Sequence, residues 1–402
     1  MNNLNGKVSA ILGPMIYLDN NATTQVAPEV FEAMRPFLTT HYGNASSGHS
    51  LGRESRAAVE QARHEVAALL GAADAGEIVF TSCGSESNNW SIGGFLQQHP
   101  DRRHIITTRI EHESVCKLCE HLSGIGCEVT WLEVDEQGAL DLDQLRKALR
   151  RDTGIVSIMA ANNETGTLLP IQEIGEIIRE SSDAIFHVDG VQAVAKIPTD
   201  LNNSNVDLFA LSGHKFHAPK GVGALYIRSG VKLPPFIIGG GQERARRSGT
   251  EAVPNIVALG RAAKLATDAP VDEHMRGLRD RLERGILNSN PATRVNGATE
   301  PTRRLPNTSN ISFEGVTGPD IVSALDAVGV AVSSGSACHS DLTAASPVLT
   351  AMGIEPSIAI GSVRFSVGRY STEADIEKTL GVLPEIVATL RHERRATASI
   401  PG

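Results

Sequence analysis

A lysine at the end of a hydrophobic run offers the first chemistry in this sequence. Lys215 follows the predicted strand Val206–Leu211 after a short Ser-Gly-His linker. From the carboxyl end of a strand its amine can reach into a cleft. If burial or a nearby positive charge lowers the pKa of that amine, it can form a Schiff base with a carbonyl compound. Taken alone, the position also suits a lysine on a surface loop.

An aspartate and a glycine–serine turn follow two other predicted strands. Asp189 closes the run Ile185–Val188, and a buried carboxylate there needs a cationic partner. Gly84 and Ser85 join the run Glu77–Thr81 to a helix, whose first amides and hydroxyl groups can bind a phosphate. Taken alone, Asp189 could also be a helix cap or a metal ligand, and Ser85 an ordinary N-cap.

A cysteine in a loop-like segment is the candidate nucleophile. Cys338 follows the small residues of Ser333-Ser-Gly-Ser-Ala and precedes the polar run His339-Ser-Asp, a composition typical of a loop. A thiolate there could attack a substrate and then carry the product group to an acceptor. His339 could help to lower the pKa of the thiol. The alternative is a buried, inert cysteine.

Two other patterns in the sequence suggest a metal site and a nucleotide site. Cys116, Cys119 and Cys127, with His112 nearby, could form a zinc or iron–sulfur site, but Cys127 opens a strand-like run and no second cysteine pair follows. The run Gly239-Gly-Gly lacks the lysine and serine or threonine of a phosphate-binding P-loop. Both patterns are poor predictors of a site here.

The elements that must position these residues alternate between strand and helix from about residue 77. The predicted strands are Glu77–Thr81, His104–Thr108, Cys127–Leu132, Ile155–Ala160, Ile185–Val188, Val206–Leu211 and Ala224–Ile227, and the predicted helices include Leu51–Leu70, Leu140–Leu149, Ile171–Arg179, Val253–Leu265 and Met275–Leu287. This alternation predicts a mostly parallel sheet covered by helices, which binds ligands beyond the carboxyl ends of its strands. A second α+β region begins with Asn307–Glu314.

Composition limits the class of protein. The 402 residues suggest about two domains, and the net charge of −9 argues against nucleic acid as the main partner. No apolar run approaches the roughly 20 residues that span a bilayer, so we expect no membrane association. An odd count of five cysteines does not form a disulfide framework. We therefore expect a cytoplasmic location.

Taken in chain order, these segments resemble class V, fold-type I enzymes that use pyridoxal 5′-phosphate (PLP), and more narrowly the NifS/IscS cysteine desulfurases. The matching segments are Tyr17-Leu-Asp-Asn-Asn-Ala-Thr-Thr, Gly84-Ser85, Glu111-His112, Asn162-Asn-Glu-Thr-Gly166, His187-Val-Asp-Gly-Val-Gln192, Ser212-Gly-His-Lys215, Arg247-Ser-Gly-Thr250 and Ser333-Ser-Gly-Ser-Ala-Cys338. The resemblance implies an α/β fold-type I transferase. Its large PLP-binding domain, residues 25–270, would contain a mostly parallel seven-stranded sheet. Residues 1–24 and 271–402 would form a smaller α+β domain that carries the cysteine loop.

The resemblance also implies a role for each motif residue. Lys215 would form the Schiff base with PLP, and Asp189 would pair with the pyridine nitrogen. The other cofactor contacts would be Gln192 and Asn163 near the phenolic oxygen, His112 on the ring face and in proton transfer, Gly84, Ser85, Ser212 and His214 at the phosphate, and Thr250 at the phosphate of a partner subunit. Arg364 would bind the substrate carboxylate, for which a guanidinium fork is well shaped, and Asn44 would add a contact.

The implied activity is the conversion of L-cysteine to L-alanine. Cys338 would take the sulfur as a persulfide and pass it to an iron–sulfur scaffold protein of the NifU/IscU kind. Apart from Cys338 as a transient iron–sulfur ligand, no metal site is expected. A homodimer with shared active sites is implied by the role of Thr250. The alternatives are another class V enzyme, such as a selenocysteine lyase or an aminotransferase, and a catalytically silent sulfur-relay protein.

Overall fold

A seven-stranded sheet forms the centre of the molecule. The computed structural model describes residues 15–335 and 345–398. The strands of this sheet are β2 (Ile78–Thr81), β3 (His104–Thr108), β4 (Glu128–Leu132), β5 (Thr153–Ser157), β6 (Ile185–Asp189), β7 (Leu208–Ser212) and β8 (Gly223–Ile227). Their order is β2-β8-β7-β6-β5-β3-β4. Only β8 runs against the others, because it pairs antiparallel with both of its neighbours. The predicted mostly parallel sheet is confirmed.

Helices cover this sheet and bury its strands. They are α1 (Pro28–Thr39), α2 (Ser50–Leu70), α3 (Gly84–Asn89), α4 (Phe95–Gln98), α5 (Glu113–Gly124), α6 (Leu142–Ala148), α7 (Ile171–Ser181) and α8 (Val253–Asp268); a π-helical turn, Trp90–Gly94, joins α3 to α4. Every residue of β5 and β7 is buried, as expected for a parallel strand with helices on both faces. Helix α2 ends at Gly71, whose left-handed φ of 59° closes the last turn at little steric cost.

A second, smaller sheet follows along the chain. Its strands are β9 (Thr293–Asn296), β10 (Thr308–Phe313), β12 (Ser333–Ser334) and β13 (Ser362–Ser366), which pair antiparallel in the order β12-β13-β10-β9. The short β1 (Ile16–Tyr17) pairs in parallel with β11 (Val330–Ala331). The helices of this region are α9 (Asp272–Ser289), α10 (Gly318–Ala327), α11 (Pro347–Ala351), α12 (Pro356–Ala359) and α13 (Glu373–Ala398).

Two apolar cores correspond to the two sheets. The larger core gathers aliphatic residues from β2 to β8 and their helices. A separate core forms around β10 and β13 and includes Ile16 and Leu18 from the start of the described chain. The N-terminal segment therefore packs with the C-terminal region, whereas α11 and α12 contribute Val348, Leu349 and Ala359 to the larger core. Within residues 15–335 and 345–398, no helix is both long and apolar enough to cross a bilayer.

One predicted strand ends earlier than the sequence suggests. The hydrophobic run Ile155–Ala160 predicts a strand to residue 160, whereas β5 ends at Ser157. Beyond that point the N–H groups of Ile158 and Ala160 still donate to backbone oxygens of β6, whereas the Met159 N–H donates to Oε1 of Glu111 at 3.0 Å. Pairing with β3 thus stops at the edge where β6 and β7 also end. The carboxyl ends of the parallel strands meet there, and the candidate residues gather at this edge.

Candidate active site

One cavity collects most of the residues singled out in the sequence. It has a volume of about 400 Å³ and lies between the carboxyl ends of the large sheet and the smaller sheet. Its lining includes Gly84, Ser85, His112, Asn163, Asp189, Gln192, Ser212, His214, Lys215 and Arg364. These residues are brought together from six separate stretches of the sequence, as expected for a ligand site at the edge of a parallel sheet.

Lys215 lies in the single 3₁₀ turn that follows β7. Its Nζ donates to the backbone oxygens of Asn21, at 2.6 Å, and Ala22, at 2.9 Å. The backbone of the N-terminal segment thus lies at the cavity and accepts these two hydrogen bonds from the Lys215 amine. Because the amine lines the cavity and is half-buried, it can meet a ligand there.

Asp189 is the last residue of β6 and is almost completely buried. Its Oδ2 accepts a hydrogen bond from Nδ2 of Asn88 at 2.8 Å, and its Oδ1 accepts one from the N–H of Val191 at 3.0 Å. Neutral donors therefore orient a buried carboxylate inside the cavity. Such a group can hold a protonated ring nitrogen of a bound ligand.

The start of α3 has the features of a phosphate site. A Cβ added at Gly84 would lie 2.6 Å from Cγ2 of Val191, so only glycine allows this close approach. The hydroxyl of Ser212 is buried and has no partner among the described residues. Opposite, burial and then the neighbouring Lys215 lower the pKa of His214 to about 4. His214 is therefore neutral near pH 7 and would contact a phosphate as a hydrogen-bonding group.

His112 is the N-cap of α5. Its Nδ1 accepts the Ser114 N–H at 3.1 Å and lies 2.8 Å from the hydroxyl of the same serine. An imidazole whose Nδ1 accepts a backbone N–H carries its proton on Nε2 when neutral. The ring is exposed to the cavity and can exchange a proton there.

Arg364 provides the positive charge on the smaller sheet. From β13 its Nη1 donates to the backbone oxygen of Asn163 at 3.1 Å, and its Nη2 donates to Oδ1 of Asp19 at 2.7 Å. Its Nε is buried and has no partner among the described residues. Each Nη carries two hydrogens, so the fixed guanidinium keeps donors for a second carboxylate.

Two predicted site residues lie away from this cavity. Thr250 is exposed and lines a small pocket beside Arg247 and Glu243. Asn44 is exposed in a local turn, where its Oδ1 accepts the Ser46 N–H at 2.8 Å. Both roles stay predictions. Cys338, like His339, lies outside the described residues.

The described residues that flank the segment 336–344 are close to the cavity. Gly335 lines it, and Gly335 and Ala345 both line an adjoining cavity of about 610 Å³. Glu164 lies between the two flanks: its Oε2 accepts the Ser346 hydroxyl at 2.6 Å and would be 2.9 Å from a Cβ added at Gly335. The segment that carries Cys338 therefore begins and ends beside the site.

The cysteines that had suggested a metal site have another environment. Cys119 and Cys127 are buried in an apolar core. Burial raises the pKa of Cys116 and Cys119 to about 12, so these thiols stay protonated. Among residues 15–335 and 345–398 no group of three or more potential ligands could hold a metal ion.

Several residues of the site had no signal in the sequence. Asn88, which orients Asp189, lies in an ordinary polar helix. Asn21 belongs to a matching motif, but its contact with Lys215 joins positions that are 194 residues apart. Cys83 is a second thiol in the cavity, and its position before Gly84 could have indicated this.

The described residues fit PLP. The cavity has the size of a cofactor site, and an amine, a buried carboxylate and an unpartnered buried hydroxyl all face it. Lys215 would bind the aldehyde carbon, Asp189 the ring nitrogen, and Gly84, Ser85 and Ser212 the phosphate. Gln192 lines the same cavity and is available to the ring substituents.

Comparisons with known proteins find relatives along nearly the whole chain. The family profile described as aminotransferase class-V matches residues 16–379. The chain is 53% identical to cysteine desulfurase 2 of Trichormus variabilis over 94% of each chain. It is 47% identical to the cysteine desulfurase NifS of Azotobacter vinelandii, again over 94% of each, and 48% identical to the cysteine desulfurase IscS of Methanosarcina thermophila over 98% of this chain and 96% of that one.

Solved structures share the fold. A structure described as a NifS-like protein superposes with a TM-score of 0.87 at 39% identity, covering 94% of this chain and all of that one. A structure described as SspA in complex with cysteine superposes with a TM-score of 0.78 at 34% identity, covering 89% of this chain and all of that one. The fold-type I architecture expected from the sequence is confirmed.

Proposed function

The chain belongs to the aminotransferase class-V family and is a PLP-dependent cysteine desulfurase, and on this premise we propose how its own residues perform the reaction. The observation that carries the proposal is the convergence of Lys215, Asp189 and Arg364 on one cavity beside Gly335. PLP, when bound, supplies an electron sink that weakens the bonds at the α-carbon of an amino acid. Asp189, oriented by Asn88, keeps the ring nitrogen protonated and so sustains that sink.

Arg364 binds the carboxylate of cysteine. The contacts with Asn163 and Asp19 fix the plane of its guanidinium, and the remaining N–H groups bind the substrate. This contact orients the α-carbon toward the amine of Lys215. Lys215 then moves the proton at the α-carbon, and His112, which faces the same cavity, exchanges protons with the substrate thiol.

Cys338 takes the sulfur. Its thiolate attacks Sγ of the substrate, a new S–S bond forms, and the Cβ–Sγ bond breaks. The electron pair of the broken bond stays with Cβ, which takes up a proton to give alanine, and Cys338 is left as a persulfide. Cys338 is the third residue after Gly335, a span of at most roughly 10 Å. The position of Gly335 in the cavity lining supports this reach.

The experiment compares two thiols of the site. With cysteine and a thiol reductant, the holoenzyme releases sulfide and alanine. Cys338→Ala should keep the yellow colour of bound PLP and lose sulfide release, whereas Cys83→Ala, which removes the other cavity thiol, should remain active. A Cys338→Ala enzyme with normal turnover would exclude the persulfide step and favour a lyase-type reaction. Lys215→Ala should lose the yellow colour, and borohydride reduction should no longer attach PLP covalently to the protein.

We propose that the protein is a homodimer in which Thr250 reaches the partner's cavity. The segment before Thr250 supports this, because it exposes apolar side chains: Ile238 is 90% exposed, and Phe236 and Ile237 are about two-fifths exposed. Sedimentation of Ile238→Asp should show monomers with weakened PLP binding. A dimer that persists with full PLP affinity would place the interface elsewhere.

We also propose an iron–sulfur scaffold protein of the NifU/IscU kind as sulfur acceptor, in the cytoplasm. The free thiols Cys83, Cys116, Cys119 and Cys127 support a reducing compartment. With sulfur-35 cysteine, label should pass from Cys338 to cysteines of a purified scaffold. Label that does not reach the scaffold but does reach a tRNA-thiolation protein would favour another pathway.

A further inference from the structure

A second lysine lies close to the site, and the proposed reaction does not use it. Lys196 is only 7% exposed. Its Nζ donates to Oε1 of Gln192 at 2.8 Å and, at the longer distance of 3.5 Å, to Oδ1 of Asn21. Both partners are neutral amide oxygens, and no ion pair of Lys196 occurs among residues 15–335 and 345–398. A buried amine without a carboxylate is costly, so its position calls for a reason.

The contacts of Gln192 connect Lys196 to Lys215. Nε2 of Gln192 donates to the backbone oxygen of Asn21 at 3.0 Å, and Nζ of Lys215 donates to the same oxygen at 2.6 Å. The hydrogen bonds therefore run from Lys196 through Gln192 and Asn21 to Lys215. All four residues belong to the wall of the cavity or lie directly behind it.

The amide of Gln192 needs an external group to fix its orientation. An amide can turn by half a rotation and exchange its oxygen for its NH₂ group at little intrinsic cost. Lys196 donates to Oε1 and so holds Nε2 toward Asn21. Since Nε2 has two hydrogens, one remains for a ligand in the cavity.

We propose that Lys196 is a positioning residue: it fixes the amide of Gln192 and, through Asn21, the carbonyl on which Lys215 rests. The inference rests on the proposed function, in which Lys215 and Gln192 contact PLP. Lys196 itself touches neither cofactor nor substrate.

The charge of Lys196 agrees with such a role. Burial, and then the neighbouring charges of Lys215 and Arg364, lower its pKa well below the ordinary value. A lowered pKa weakens the positive charge beside Lys215, and the amine keeps N–H donors for Gln192 in either protonation state.

The test compares Lys196→Met with Lys147→Met. Methionine keeps most of the volume of lysine and removes the donor, while Lys147 is an exposed lysine on α6 that does not line the cavity. For Lys196→Met we expect the Kd of the apoenzyme for PLP to rise about 5-fold, which corresponds to the loss of one hydrogen bond. The kcat of the PLP-loaded enzyme should fall by a similar factor, with KM for cysteine within about twofold. Lys147→Met should leave these values unchanged.

A lowered thermal midpoint with unchanged Kd and kcat would show that Lys196 only fills the core, and would overturn the proposal. If Lys196→Met does not fold, Lys196→Gln decides, because an amide end offers an acceptor as well as a donor and so no longer fixes which way the amide of Gln192 lies. Its Kd for PLP should then rise, and an unchanged Kd would also overturn the proposal. PLP affinity does not depend on Cys338, so a failed persulfide step would be recognised separately.

Discussion

The carboxylate of Asp189 accepts a 2.8 Å hydrogen bond from the amide of Asn88. The same Nδ2 also donates to the hydroxyl of Ser114 at 2.9 Å, and that hydroxyl lies 2.8 Å from Nδ1 of His112. The two groups expected to contact opposite parts of the cofactor ring, its nitrogen and its face, are therefore oriented by one chain of neutral groups. Asn88 keeps Asp189 in place without neutralising its charge.

Asn88→Asp should impair catalysis by changing that charge. A second carboxylate in contact with Asp189 favours protonation of one of the two, so Asp189 holds the ring nitrogen proton less firmly. We expect kcat to fall by roughly 10-fold to 100-fold. The matched control is Asn203→Asp, because Asn203 donates to Asp200 at the same 2.8 Å on the exposed surface. A normal kcat for Asn88→Asp would show that the function of Asp189 does not depend on Asn88.

Arg364→Lys should weaken substrate binding. Lysine offers a single point charge and cannot contact Asn163, Asp19 and a substrate carboxylate at once in the geometry of a guanidinium. Steady-state kinetics should show KM for cysteine raised by about 10-fold or more, since a charged hydrogen bond is worth about 1.5–3 kcal/mol. Arg294→Lys, on the neighbouring part of the same sheet, should leave KM unchanged. If the two variants have the same KM, the substrate carboxylate binds to a group other than Arg364.

The sequence predicts those parts of the site that depend on local order along the chain. Asp189 and Lys215 could be placed because each closes a run of buried residues, and the ends of parallel strands share one edge of a sheet. The contacts that orient them could not be predicted, because they join distant positions. Asn88 and Asp189 are 101 residues apart, and Lys215 and Asn21 are 194 apart. A single sequence contains no periodicity that links such pairs.

The early end of β5 has the same cause. The run Ile155–Ala160 is apolar apart from Ser157, and apolar residues follow that serine, so a hydrophobic pattern alone gives no reason for the strand to end there. Pairing with β3 stops because Glu111, which comes from the loop after β3, takes the N–H of Met159, while Ile158 and Ala160 still donate to β6. Most other predicted strands lie within one or two residues of the observed bounds, since their ends coincide with glycine or polar residues.

Glu243→Gln should destabilise the fold by breaking a buried ion pair. Glu243 accepts from Nη1 and Nη2 of Arg63 at 2.7 and 2.9 Å, and both side chains are about 95% buried. Glu243 and the next two residues have φ values of 49°, 58° and 62°, a left-handed turn that residues with a Cβ adopt only at a cost. We expect the free energy of unfolding in urea to fall by about 3 kcal/mol.

The matched control for this loss is Glu60→Gln. Glu60 contacts the same arginine at 3.3 Å, but its side chain is 46% exposed, so we expect a change of at most about 0.5 kcal/mol. Equal losses in the two variants would show that Arg63 does not depend on Glu243. Because the strained turn leads toward Thr250, Glu243→Gln should also weaken the dimer measured by sedimentation.

Two buried carboxyl groups should make the stability of the protein depend on pH. Burial raises the pKa of Glu111 to about 8 and that of Glu164 to about 7, from an ordinary value of 4.5. Between 4.5 and these values the folded protein binds more protons than the unfolded chain, so the free energy of unfolding falls as the pH rises. The slope for each group approaches about 1.4 kcal/mol per pH unit.

Glutamine at these positions removes the titrating proton and keeps the shape of the side chain. Urea unfolding of the apoenzyme at pH 5, 6, 7, 8 and 9 should therefore show Glu111→Gln gaining stability over the wild type up to about pH 8, and Glu164→Gln only up to about pH 7. Subtracting the wild type cancels the opposite effect of buried His187, whose pKa is lowered to about 4 by burial. Glu120→Gln, at an exposed position, is the control: its difference in stability from the wild type should be the same at every pH. A difference for Glu111→Gln that does not change between pH 5 and 8 would show that this carboxyl group is ionised in the folded protein throughout that range.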